Sequence, residues 1–271
     1  MKTIRICIRS VILIAITLMA LEAALTFIDP LGVVYYRDIR TIENESKRQD
    51  LSGYTFASSH KTHLTKWSFE TTPDGTRSVP GISLSGPKVR FYGDSVTFGM
   101  GVDDANTWVS IVCSSLHLNC TNYGRGGYPA SNTVELMQAT AHRGCAVFLT
   151  IHNDMETMDD FIYGNQSWRP MILDYWHFLT VGRYAGYARL DNTAYQQAMQ
   201  YAASRPNTLL LAFDGHNYGK MVREQYGAVL IPNFTSRISV VDTHPNNEGN
   251  RQIAESILPV LDDWLKTRNC T

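Results

Sequence analysis

The chain is short of net charge. Its 24 Lys and Arg nearly balance 25 Asp and Glu over 271 residues, leaving a formal net charge of −1. No Lys/Arg cluster is available to neutralise a run of phosphates, so nucleic acid drops out as a partner. Cysteine is scarce as well. The five present, Cys7, Cys113, Cys120, Cys145 and Cys270, form no C-x-x-C pair and no Cys/His run at zinc spacing, so neither a structural metal nor another cofactor is called for. In an exported domain Cys113 could pair with Cys120, or Cys145 with Cys270. Cys145, however, opens an apolar run and reads as a buried thiol, and the balance is against a disulfide. Internal repeats and low-complexity tracts are missing. The length suits one substantial core better than two full domains, so one globular domain with an N-terminal appendage is expected.

The one long hydrophobic run is that appendage. Residues 11 to 28 are apolar apart from Glu22, and Lys2, Arg5 and Arg9 precede them. The run just reaches the roughly 17 to 25 residues needed to cross a bilayer core. A signal peptide would have a shorter run and a better small-residue cleavage site than Ala20 to Ala24 offer. The expected reading is therefore an uncleaved anchor over residues 1–30, with a cleaved signal or a buried amphipathic helix as alternatives. The basic residues ahead of the run place the domain outside the cytoplasm, in a periplasmic or extracellular space, although Arg37, Arg40, Lys47 and Arg48 on the far side dilute that bias. Glu22 is costly in a span, and is most simply accommodated near the outer interface or against a partner helix.

Residues 31–87 are polar and turn-rich, with Pro73-Asp74-Gly75 and Pro80-Gly81 and no sustained periodicity, and read as an extended connector packing on the domain. From residue 88 onward short apolar runs alternate with helical patterns, which predicts a parallel α/β sheet. The expected strands are Val89 to Tyr92, Cys120 to Tyr123, Ala146 to Ile151, Thr208 to Phe213 and Ala228 to Ile231. The expected helices are Asp104 to Leu116, Ser131 to His142, Asn192 to Ala203, Tyr218 to Tyr226 and Asn247 to Lys266, with Asp104 and Ser131 as caps. The last carries an apolar stripe of Ile253, Ile257, Leu258, Leu261 and Leu265. In open sheets of this kind ligands bind beyond the carboxyl ends of the strands, so the residues just after each strand matter most.

Four such places carry chemistry. Gly93-Asp94-Ser95 after the first strand is a tight turn that exposes a hydroxyl, although a serine there is ordinarily a helix cap. Asn122-x-Gly124-x-x-Gly127 after the second lets backbone approach a ligand, with the Gly127 N–H as a candidate oxyanion donor; a flexible turn is the plain alternative. His152-Asn153-Asp154 after the third puts a carboxamide at the same rim, where an Asn is commonly just a turn former. Asp242-Thr243-His244-Pro245 precedes the last helix and pairs a carboxylate with an imidazole, the arrangement a serine nucleophile requires. His216, also two residues after an acid, competes with His244 for the role of base.

The four blocks, in this order and at these strand ends, resemble the SGNH (GDSL-like) hydrolase superfamily over about residues 88 to 266. Two departures stand out: Ile151 replaces the Gly common two residues before the Asn, and Asp-x-His is one residue shorter than the frequent Asp-x-x-His. The resemblance implies a three-layer α/β/α sandwich with a five-stranded parallel sheet, flavodoxin-like, over residues 88–271. It also implies a serine esterase in which Ser95 is the nucleophile, His244 the base and Asp242 its orienting acid. The Ser95 N–H, the Gly127 N–H and the Asn153 side chain would hold the oxyanion. A membrane-anchored esterase of this type suggests an ester of a cell-envelope polysaccharide or lipid as substrate. An O-acyltransferase using the same triad, or a non-catalytic carbohydrate-binding domain, are the alternatives. Aromatic residues between 155 and 190, among them Phe161, Tyr163, Trp168, Tyr175, Trp176, Phe178, Tyr184 and Tyr187, either wall a pocket or pack a loop onto the sheet.

Overall fold

Short segments too brief for helices suit strands, and two of them, Cys145–Thr150 and Thr208–Phe213, are apolar almost throughout, as strands buried on both faces are. In the computed structural model, which describes residues 2–39, 42, 61–64, 66–140, 144–151, 156–157, 170–180, 189–190, 192–215, 217–240 and 242–270, they form one parallel sheet. Its strands are β1 (Lys88–Gly93), β2 (Asn119–Asn122), β3 (Cys145–Thr150), β4 (Thr208–Phe213) and β5 (Val229–Ile231), in the order β2-β1-β3-β4-β5. Val89 lies opposite Cys120 on one side and Cys145 on the other, so β1 is flanked by both. The strand order reverses at β1, and crossover helices leave a crevice there at the carboxyl edge.

Alternate side chains of each strand go to opposite faces, and each face has its own helices. Phe91, Val147, Leu149 and Leu211 meet α3 (Trp108–Ser115) and α8 (Asn247–Lys266) in one core. Tyr92, Phe148, Leu210 and Ala212 meet α4 (Ala130–Thr140), α6 (Asn192–Ser204) and α7 (Asn217–Tyr226) in the other. The expected three-layer α/β/α sandwich is what forms. Ile253, Ile257 and Leu261 of the α8 stripe are fully buried, and Leu258 and Leu265 flank them.

Several expectations need correction. Cys145 is not a free thiol: it is bonded to Cys270, and Cys113 to Cys120. A strand-opening Cys looks the same as any small apolar residue in sequence; what decides its state is that the segment after α8 returns along the sheet's amino edge, where the Lys88 N–H donates to the Cys270 carbonyl at 2.8 Å. Ser131 is not a cap, because α4 already begins at Ala130, the Thr133 N–H reaching the Pro129 carbonyl. Asp104 caps nothing either. It opens a short 3₁₀ turn, Asp104–Asn106, and the helix proper starts after Thr107, whose hydroxyl oxygen accepts from the Ser110 N–H at 3.1 Å.

The connector has more structure than its sequence shows. Residues 33–39 are helical, and Lys61–His63 pairs antiparallel with Ser68–Glu70. Trp67, Phe69, Ile39 and Ile42 are buried together with Phe98 and Met100, forming a small third core beside the turn that follows β1. The apolar run is helical as expected, within α1 (Lys2–Ile28).

Candidate active site

The turn after β1 is a single helical turn, α2 (Ser95–Phe98), entered through Gly93. Gly93 has φ +151°, and a Cβ there would lie 2.3 Å from Thr97 Oγ1 and 2.7 Å from the Leu149 carbonyl, so only glycine fits. Asp94 caps the turn, one carboxylate oxygen accepting from the Val96 N–H at 2.9 Å.

A helix this short leaves its carbonyls without internal partners, and buried carbonyls need them. Here each is met. The Ser95 carbonyl takes the N–H groups of Gly99 and Met100, each at 3.0 Å. The indole N–H of Trp108 donates to the Val96 carbonyl and Asn122 Nδ2 to the Thr97 carbonyl, both at 3.0 Å. Arg77, fully buried, gives Nη1 to the carbonyls of Phe98 (2.7 Å) and Gly99 (2.6 Å), Nη2 to that of Val102 (2.6 Å), and Nε to Asp104 (2.8 Å). Burial lowers the pKa of the Arg77 guanidinium, with Asp104 acting against it; burial likewise raises that of Asp104, with Arg77 opposing. Burial thus acts against the charged form of both partners, while the guanidinium holds three backbone carbonyls in place.

The second loop precedes α8. Asn246 caps that helix, accepting from the Gly249 N–H at 2.9 Å. The buried Asn250 side chain donates to the carbonyls of Pro245 (3.0 Å) and Asn246 (3.1 Å) and accepts from the Trp108 backbone N–H (3.0 Å). The two N–H groups of Trp108 therefore reach both loops, the indole holding α2 and the backbone holding Asn250.

Between the loops lies a hydrogen-bonded chain. His244 Nε2 is 2.8 Å from Ser95 Oγ, and His244 Nδ1 is 2.7 Å from Asp242 Oδ1, which also accepts the His244 backbone N–H at 2.9 Å. Asp242 is buried, and its own N–H donates to Ser239 Oγ at 3.0 Å. With Nδ1–H donating to the carboxylate, Nε2 is left as an acceptor facing the hydroxyl. Such a chain can draw the proton from Ser95 as its oxygen forms a bond elsewhere. Ser95 Oγ has a second acceptor, Asp94 Oδ2, at 3.2 Å. One hydroxyl proton cannot serve both, and the contact to His244 is the shorter.

Of the residues expected at the site, Ser95, Asp242 and His244 are brought together from positions 149 apart along the chain. Gly127 lies in the turn after β2 with φ +71°, a left-handed conformation suited to glycine. Asn153 and the rival histidine His216 lie outside the described residues. Asn122 enters the sequence reading only as a member of the second block, and Arg77 and Asn250 do not enter it as site residues. Asn122 ties the turn after β2 to the turn after β1, its Oδ1 accepting from the Gly124 N–H (2.8 Å) while its Nδ2 donates to the Thr97 carbonyl. Arg77 and Asn250 act across more than 20 and 140 residues of sequence, and only a basic residue just after a Pro-Asp-Gly turn hinted at the first.

The chain is thus an α/β/α protein with a serine, histidine and aspartate in hydrogen-bond contact at the carboxyl edge of a parallel sheet. No protein-family model matches it, and no curated protein sequence does. Among solved structures it is similar to a member of the lipolytic protein G-D-S-L family from Veillonella parvula DSM 2008, with 18% identity over 65% of this chain and 98% of that one and a TM-score of 0.38. It is also similar to LAE5, an alpha/beta hydrolase enzyme from the metagenome of Lake Arreo, Spain (16% identity, 68% and 98%, TM-score 0.41), and to Est24, a carbohydrate acetylesterase from Sinorhizobium meliloti (10% identity, 66% and 99%, TM-score 0.42).

Proposed function

We propose that the chain is a serine ester hydrolase of the SGNH (GDSL-like) type. The observation that carries this reading is the continuous hydrogen-bonded path from Ser95 through His244 to the buried Asp242. Ser95 Oγ attacks the acyl carbon of an ester while its proton passes to His244 Nε2. Asp242 keeps the imidazole in the required tautomer and stabilises its charged form. The negative charge on the former carbonyl oxygen is met by the Ser95 and Gly127 N–H groups and the Asn153 side chain. Collapse of this adduct breaks the bond to the alcohol, which leaves with the proton from His244, and the acyl group stays on Ser95 as an ester. Water, deprotonated by His244, then releases the acid and restores Ser95.

α1 anchors the domain in a membrane on this reading: Ile6–Ile28 is long and apolar enough to span one, and its apolar side chains from Ile6 to Leu21 are exposed. The two disulfides support a domain outside the cytoplasm, where such bonds persist. An ester of an envelope polysaccharide or lipid is then the accessible substrate class. The test is the full chain in detergent with a fluorophosphonate probe and a short-chain p-nitrophenyl ester. Labelling should occur at Ser95, and Ser95→Ala should abolish it while lowering kcat by roughly a thousandfold or more. Undiminished hydrolysis by Ser95→Ala would refute the mechanism.

A further inference from the structure

The helix α5 (Met171–Thr180) is apolar on the side where a helix in water would be polar. Its one acid and its tyrosine hydroxyl turn inward. Asp174 is buried and ion-paired with Arg37 at 3.3 Å, and the Tyr175 hydroxyl donates to Asp29 at 2.7 Å. Its outward stripe is apolar instead: Leu173, Trp176 and Leu179, three residues apart and so on one side, are 54%, 67% and 71% exposed. A surface helix of a soluble protein has the opposite pattern.

What α5 docks against says what covers that stripe. Met171 and Tyr175 are buried with Val33, Val34 and Tyr36, and with Leu25 of α1. The contact is fixed by Glu22, the one acid in the apolar run, whose two carboxylate oxygens accept the N–H groups of Met171 (2.5 Å) and Ile172 (3.1 Å). These are donors that a helix start leaves unpaired, at the positive end of its dipole. The carboxylate and the helix start thereby satisfy one another, which is what either would need in a medium without water. Glu22 lies six residues before Ile28, and so about 9 Å short of the outer end of α1. α5 begins at that depth. At the end of α1 Lys66 Nζ donates to the Phe27 carbonyl at 2.9 Å, which on the anchor reading puts a cation where lipid headgroups begin.

We propose that α5 is seated in the outer leaflet of the bilayer spanned by α1, with Leu173, Trp176 and Leu179 against acyl chains. The proposal rests on the reading of α1 as an anchor. Its consequence is a second attachment, which fixes how the hydrolase domain is turned relative to the membrane. An exposed apolar stripe with a Trp in it is what such a position selects.

The full-length protein, in a Cys7→Ser background with both disulfides intact, is reconstituted into vesicles of phosphatidylcholine and phosphatidylglycerol. A nitroxide is attached to Leu179→Cys or, as a reference in the span, to Leu18→Cys. Both labels are expected to collide more often with oxygen than with a water-soluble nickel chelate. A label at 179 that favours the nickel chelate while the label at 18 favours oxygen would overturn the seat of α5 and leave the anchor standing. A water-exposed label at 18 would remove the anchor and the proposal together. Dipolar broadening between labels at 179 would assign the stripe to a second copy of the chain and overturn the proposal as well. In case the label perturbs α5, the unlabelled chain gives an independent reading: acyl-brominated lipid should quench part of its tryptophan emission, and Trp176→Phe should abolish that part. Equal quenching in both proteins would count against the proposal.

Discussion

The two loops that meet at the candidate site are held in different ways. Around Ser95, every carbonyl of the turn is taken up, and the donors come from three distant segments: Arg77 in the connector, Trp108 in α3 and Asn122 at the end of β2. Around His244 the support is largely local, from Asp242 two residues away, from Ser239 and from the cap of α8, with Asn250 as the tie to the rest of the domain. The proposed nucleophile is thus clamped from outside, and the proposed base is braced by its own loop. A clamp of that kind resists motion along several directions at once; a local brace fixes orientation but leaves the loop's position to few contacts.

The comparison can be broken most severely at the base itself. His244→Ala should lower kcat by several powers of ten, about as much as losing Ser95, because members of such a triad act as a unit. His216→Ala is the control and should cost less than about tenfold. Steady-state ester hydrolysis by the two variants decides between the histidines, and an active His244→Ala with a dead His216→Ala would reverse the assignment. Next in size is the clamp. Arg77→Met strips the carbonyls of Phe98, Gly99 and Val102 of a buried donor and leaves Asp104 without its ion pair. It should cost about 3–5 kcal/mol in chemical denaturation, the range for breaking a buried pair from one side. A loss below about 1 kcal/mol would mean that the turn does not depend on the clamp.

The smallest effect should come from the tie to the His244 loop. Asn250→Ala removes three hydrogen bonds in a buried place and should destabilise by about 1–3 kcal/mol. Because it moves the base rather than a substrate-binding group, kcat should fall while KM holds, and the reverse split would argue against a role in positioning His244.

Much of this architecture was legible in the sequence. Thr208–Phe213 and Asn247–Lys266 coincide with their expected ranges, and the other four strands of the sheet lie within a residue at each end. Central strands buried on both faces show as unbroken apolar runs, and a long helix with one apolar stripe shows its period. Ser95, Asp242 and His244 stood out because each belongs to a short local pattern, and the hydrogen-bonded chain joins them. The connector was illegible for the opposite reason. Its strands are three residues long, below any periodic signal, and Phe69 is buried against Phe98 and Trp67 against Phe69 rather than by a pattern of their own. Arg77 sits among turn residues, where an arginine ordinarily faces water. The state of Cys145 depended on where a segment 125 residues later returns.

Trp108 links these regions. Its indole N–H grips the turn that carries Ser95, and its backbone N–H grips the residue that ties down the loop of His244. Any tilt or slide of α3 at this point is passed to both loops with the same sign, as common-mode motion, and only the difference between them changes the gap from hydroxyl to imidazole. Side chain and backbone of one residue thereby act as a calliper, setting the turn of the hydroxyl and the loop of the imidazole from a single point of α3.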